Sequence, residues 1–176
     1  MTATTLGARD DNTESHSARV GELAGRLGER LGLGERECEL LRRAGSLHDL
    51  GKIGVPDDIL NKPGPLTEDE WEVMRRHPDI GADMLARHSA LADVAPLVRH
   101  HHERWDGSGY PAGLKGTNIP IGARIIAVAE SFDMITRKCV FRANHLTAQE
   151  AIRDISEHSR SWYDPEVVDS LRALYL

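Results

Sequence analysis

SLHDLGKIGVPDDILNKPG, Ser46 to Gly64, is the stretch on which the reading of this 176-residue chain turns. An apolar helix ends there on an adjacent His48 and Asp49. Lys52 follows one turn on, and the chain then breaks into glycines and prolines. An imidazole and a carboxylate at the inward end of a helix are costly to bury unless something neutralises them. Two readings are open at this point: a hydrogen-bonded core pair, or a pair that holds a cation.

Working outward, the chain is helical on both sides. From Glu14, the apolar residues Val20, Leu23, Leu27 and Leu31 step by three or four and predict a helix. A second helix is expected over about 35–50. Thr67 with Glu70 forms a capping box, opening a helix that reaches His77. Pro78 resets the chain, and one helix is expected to about Arg87 and another over roughly 91–104. WDGSGYPAGLKGTNIP reads as a long loop and IGARIIAVAESFDMIT as a buried helix. TAQE at 147–150 is a second capping box, and DPEV at 164–167 gives an N-cap Asp with Pro at N1. No segment alternates as a strand does. The expectation is an all-α, single-domain helical bundle over 12–176, preceded by a flexible lead over 1–11.

Bulk properties narrow the function. Lys and Arg number 22 against 28 Asp and Glu, a net charge of −6, which argues against a polymeric nucleic-acid partner. No apolar run is long enough to span a membrane, and the first residues carry no signal-peptide core. Cys38 and Cys139 make no disulfide framework, so a reducing, cytoplasmic location is expected.

Nine histidines are many for this length. His16, His48, Asp49, His77, His101, His102 and Glu130 fall on or beside inward faces of five segments. Singly, each has a structural explanation: His16 as a cap, His77 as a helix end before Pro78, the 100–102 run as a solvated surface. Glu130 and Asp49 resist it, because a carboxylate in an apolar helix costs several kcal/mol unpaired. Imidazole with carboxylate is the donor set of Zn, Fe, Mn or Ni, and helical bundles build metal sites from facing helices. Seven donors suit two divalent ions if Asp49 bridges them. Two carboxylates against four metal charges leave a positive pocket in an acidic chain, before Lys52 is added. Such a pocket selects an anion, and a phosphate ester is the natural one.

These motifs together resemble the HD superfamily of metal-dependent phosphohydrolases, and specifically its HD-GYP subfamily. HDLGKIGVPDDILNKPGPLT, HPDIG, HHERWDGSGYPAGLKGTNIP and ARIIAVAESFDMIT occur in the family's order, with Gly109-Tyr110-Pro111 as the naming triplet. The resemblance implies a buried centre of two or three divalent metal ions, iron or manganese, with nickel, zinc or cobalt as alternatives. It also implies hydrolysis of cyclic di-GMP to linear pGpG or GMP by a metal-bridging hydroxide. It assigns His16, His48, Asp49, His77, His101 and His102 as metal ligands, with Glu130 in the place of the family's Asp. Lys52 is assigned to the scissile phosphate, and Asp133, Arg142, Gly109 and Tyr110 to the substrate side. GGDEF-type diguanylate cyclases are an expected partner of the GYP loop, and a helical face is available for a homodimer.

Three departures are visible. Asn12 stands where three-metal members carry Glu, and Glu14 cannot replace it because residues two apart on a helix diverge, so two metals are expected. Glu130 is one methylene longer than the family's Asp. In TRKCVFR, Cys139 replaces an expected phosphate-binding Arg, Val140 a Pro and Phe141 a Tyr, while Arg142 is kept. The last two leave two further readings open: a weakly active nucleotide receptor or interaction module, and a hydrolase of another cyclic dinucleotide.

Overall fold

The computed structural model describes residues 11–136 and 147–175. Nine α-helices appear among them: α1 (Asp11–Arg30), α2 (Glu35–Leu47), α3 (Asp57–Leu60), α4 (Glu68–Met74), α5 (His77–Ala86), α6 (Ala95–Arg99), α7 (Ile121–Thr136), α8 (Ala148–Glu157) and α9 (Pro165–Tyr175). Two 3₁₀ turns, Leu50–Gly54 and Gly116–Asn118, complete the described elements, which include no strand. The all-α expectation holds. The lead over 1–10 and the segment 137–146, with Cys139 and Arg142, lie outside the described residues, as do the side chains of Asn12 and Glu14.

Helix α7 is the axis of the bundle. Ile125, Ile126, Val128 and Ala129 are fully buried, so it is apolar on nearly every side, as a central helix must be. Val20, Ala24 and Leu27 of α1, Leu41 and Ala44 of α2, and Ile155, Val167 and Leu171 of α8 and α9 close around it in one cluster. Each buried Leu, Ile or Val contributes about 1.5–3 kcal/mol against exposure.

The caps stand where the sequence puts them. Thr67 accepts the Glu70 N–H at 3.3 Å while Glu70 Oε2 accepts the Thr67 N–H at 2.7 Å. Thr147 and Glu150 repeat the pair at 3.3 and 2.7 Å. Asp164 Oδ1 accepts the Glu166 N–H at 2.9 Å ahead of α9.

Several boundaries differ from expectation. The helix opened by the Thr67 cap stops at Met74, so His77 begins α5 instead of closing α4. Helix α1 already begins at Asp11. Helix α2 stops at Leu47 and hands over to the 3₁₀ turn at Leu50, because Gly51 packs against the backbone of α5: a Cβ there would overlap the His77 carbonyl. The helix expected over 91–104 is only the five residues of α6. His101 and His102 stand in the turn beyond it, and the imidazole of His101 takes one of the helix's last carbonyls.

Candidate metal centre

Five elements deliver the seven candidate side chains to one place. His16 comes from α1, His48 and Asp49 from the end of α2, His77 from the first position of α5, His101 and His102 from the turn after α6, and Glu130 from α7. His48, His77 and His101 are at most 2 % exposed. His100, the third of the run, turns away to Glu103.

The donors form two triads. His16, His48 and Asp49 each offer an atom within 4.8 Å of the others, and so do His77, His101 and His102. Asp49 joins the two. Its Oδ2 lies 3.4 Å from His48 Nε2 and its Oδ1 3.5 Å from His77 Nε2. Glu130 Oε1 stands 4.0 Å from His48 Nε2.

The outer nitrogens of four histidines are tied, and always the same one. His48 Nδ1 donates to the Gly45 carbonyl at 2.7 Å, His77 Nδ1 to Met74 at 2.8 Å and His101 Nδ1 to Val98 at 2.6 Å. Those carbonyls sit at helix C-termini, where they lack backbone partners. A carbonyl only accepts, so the proton is on Nδ1 and the Nε2 lone pair faces inward. His16 Nδ1 makes the equivalent bond at 2.6 Å to Asp133 Oδ2. Arg19 Nη2 also reaches that carboxylate, at 2.9 Å. An imidazole whose far nitrogen is held by a carbonyl or carboxylate is the usual form of a metal-binding histidine.

The inner atoms have nothing to bond. Among the described residues, the buried side-chain polar atoms without a hydrogen-bond partner are His48 Nε2, Asp49 Oδ1, His77 Nε2, His101 Nε2 and Ser170 Oγ. Four of the five converge on this site. Each orphan costs about 1–3 kcal/mol, and divalent cations between the triads would satisfy all four. The donor set therefore fits divalent metal.

Protonation states agree. Burial lowers the His77 imidazole despite Asp49 beside it. Burial, then His102, pushes His101 well down. Burial and His77 bring His102 to about 3. All three are neutral at pH 7, the form that binds metal. Burial opposes ionisation of Asp49, but His48, Lys52 and His77 hold it well below the usual carboxylate range. Lys52 Nζ donates to Asp49 Oδ2 at 2.7 Å, and that carboxylate outweighs burial to keep the ammonium charged.

The GYP segment packs on the histidines. Gly109 lies against the backbone of 102–104, where a Cβ would overlap the Arg104 amide and the His102 carbonyl. The Tyr110 N–H donates to His102 O at 3.2 Å, and its ring stacks on His102 at 4.9 Å between centroids and 29° between planes.

Two residues expected on the substrate side are held by the protein itself. Asp133 turns its carboxylate to His16 and Arg19. Burial raises its pKa, but those two bonds outweigh burial and leave it at about 2. Gly109, expected to meet substrate, is fixed by backbone packing.

Two residues escaped the sequence reading. Glu103 is buried and accepts the N–H groups of Ala112 at 2.8 Å and Leu114 at 3.1 Å, pinning the loop beneath the histidines. A carboxylate directly after the histidine run was its only signal. Arg19 sits three residues after His16, on the same helix face.

The family model described as HD domain matches residues 3–167. A protein of Thermotoga maritima named cyclic di-GMP phosphodiesterase is 45% identical over 94% of this chain and 45% of its own length. The cyclic di-GMP phosphodiesterase response regulator RpfG of Xanthomonas campestris is 42% identical over 93% of this chain and 43% of its own. A 3'3'-cGAMP-specific phosphodiesterase 2 of Vibrio cholerae is 37% identical over 96% and 33%. In fold, the chain superposes on the HD domain of the Listeria monocytogenes phosphodiesterase PgpH with a TM-score of 0.67 at 16% identity, covering 98% of this chain and 96% of that one. The chain belongs to the HD-domain family, with the sequence marks of its HD-GYP group. It spans less than half the length of these curated relatives.

Proposed function

We propose that the chain is a phosphodiesterase that hydrolyses cyclic di-GMP to pGpG or GMP at a two-metal site. The observation that carries this reading is the convergence of four orphaned buried donor atoms around Asp49, whose two oxygens face different triads. His16, His48, His77, His101 and His102 are the residues that would hold the metals, with Asp49 set between the two triads to serve both and Glu130 beside His48 as a further donor. Iron or manganese is the proposed metal.

Two divalent ions in such a site supply a nucleophile at neutral pH and neutralise the phosphate. The rest is the work of this chain. Asp49 fixes the spacing of the two triads. Asp133 and Arg19 hold His16 in one tautomer. Lys52, at the rim with part of its side chain open to solvent, has N–H groups beyond the one given to Asp49, and these stabilise charge building on the phosphoryl oxygens. Tyr110, with burial raising its pKa further above neutral, stays a phenol and walls one side of His102.

Relatives named 3'3'-cGAMP-specific at 37% identity favour a second reading, in which the substrate is that mixed dinucleotide. Contact of the GYP loop with GGDEF-domain cyclases, a homodimer and a cytoplasmic location belong to the same proposal. Among the described residues no helix is long and apolar enough to cross a membrane.

The test is chromatography of products after incubation of anaerobically purified, Fe- or Mn-loaded protein with cyclic di-GMP and, separately, 3'3'-cGAMP. Linear pGpG or GMP from the first supports the reading. Turnover of the second alone moves it to the mixed dinucleotide. Metal-loaded protein inert to both contradicts it.

A further inference from the structure

Beside the histidines, a cleft of about 160 Å³ runs from His102 and Glu130 to a wall made of Arg104, Ser131, Trp162 and Tyr163. The segments at 104–106 and 161–162 are clipped together by the Trp105 N–H on the Trp162 carbonyl at 3.1 Å and the Asp106 N–H on Ser161 at 2.8 Å. Arg104 and Trp162 are thereby held side by side. The Arg104 guanidinium lies 4.4 Å from the centroid of the Trp162 ring. Trp162 in turn stacks on His158 at 3.9 Å with only 5° between planes.

This contact restrains an arginine. A guanidinium held over an indole gives up part of its rotamer freedom before any ligand arrives, and its N–H donors are not consumed by the ring. Other arginines near the site are already committed: Arg124 to Asp164 and Arg19 to Asp133. Arg104 lies within ion-pair distance of no carboxylate among the described residues, although it forms one wall of a cleft that opens onto the metal centre. Across that cleft, Tyr163 donates to Ser131 Oγ at 2.9 Å, which leaves the Ser131 hydroxyl proton for another acceptor.

We propose that this cleft receives one guanine base of the substrate and that Arg104 is the residue that selects it; the inference rests on the phosphodiesterase reading. The planar N–H fork of Arg104 matches the adjacent O6 and N7 acceptors of guanine. Adenine places an amino donor where guanine has O6, so the same fork loses one bond and meets a donor. Trp162 acts through Arg104 and is a positioning residue.

The experiment compares wild type, Arg104→Met and Arg104→Lys, all metal-loaded, on cyclic di-GMP, 3'3'-cGAMP and cyclic di-AMP. It also measures binding of GMP and AMP to each. Metal content serves as the check of an intact centre. Arg104→Met is expected to lower kcat/KM for both guanine-containing substrates by about ten- to hundredfold, through KM, and to change cyclic di-AMP far less. Arg104→Lys, which keeps charge without the fork, is expected not to restore it. Wild type should prefer GMP over AMP, and Arg104→Met should lose that preference. Full rescue by Lys, or an equal loss on all three dinucleotides, would overturn base selection in favour of a general phosphate contact. The mononucleotide comparison stands by itself: wild type that hydrolyses no dinucleotide contradicts the phosphodiesterase reading, whereas wild type without a GMP preference contradicts the cleft.

Discussion

Oδ1 of Asp49 lies 3.5 Å from Nε2 of His77, although the two residues come from different helices and neither atom has a hydrogen-bond partner. Two lone-pair-bearing atoms face each other across a gap wider than a hydrogen bond. That is the geometry expected where a cation belongs; Oδ2, which accepts from Lys52, lies 3.4 Å from His48 Nε2, itself without a partner.

Asp133 holds the outer nitrogen of His16, so it governs one ligand without being one. Asp133→Asn should weaken metal binding by about 10–100-fold, as loss of such outer partners does. Competition titration with a chromophoric chelator measures this. Unchanged affinity would mean that the helix alone orients His16.

Among the described residues, Lys52 hydrogen-bonds to the centre through Asp49 Oδ2. Lys52→Met should retain bound metal and lose turnover, by about 10²–10³ in kcat if its charge acts in the transition state. Elemental analysis beside kinetics separates the outcomes. Loss of metal would instead make Lys52 a support for the Asp49 bridge.

Acid should destabilise the metal-free protein. His77, His101 and His102 are neutral when folded because their pKa values are lowered, whereas the unfolded chain takes up protons near pH 6.5. Between the two values the unfolded state binds more protons, so stability rises with pH. It is fully present above about 6.5 and is lost as pH falls toward the folded values. The lowered Asp49 acts in the same direction, its contribution disappearing at lower pH. Thermal melts of chelated protein should show Tm falling from pH 7 to 5. A flat profile would contradict buried neutral imidazoles.

Gly109 has no room for a side chain against the 102–104 backbone. Gly109→Ala should displace Tyr110 from His102 and cost about 1–3 kcal/mol. Denaturant unfolding measures it, and a neutral effect would show the turn to be adaptable.

Much of this was legible in the sequence. Residue type and apolar context marked Asp49 and Glu130 as inward carboxylates, and Asp49 is buried while Glu130 is partly so; the capping boxes at Thr67 and Thr147 fixed two helix starts. What periodicity could not supply was three-dimensional detail. The short α6 followed by a turn cannot be distinguished from a longer helix by the spacing of Val94, Leu97 and Val98. The turn of Asp133 toward His16, 117 residues away in sequence, depends on how α1 crosses α7. Glu103 gave no periodic signal, because what it pins are backbone N–H groups of a loop, at Ala112 and Leu114.

The most direct test is the metal content of anaerobically purified wild type, beside Asp49→Ala, after Fe or Mn is supplied and excess removed. Wild type is expected to hold two ions per chain, and Asp49→Ala to lose bound metal with the helical fold retained. Wild type that holds no metal, or Asp49→Ala that still holds two, would contradict the bridged centre.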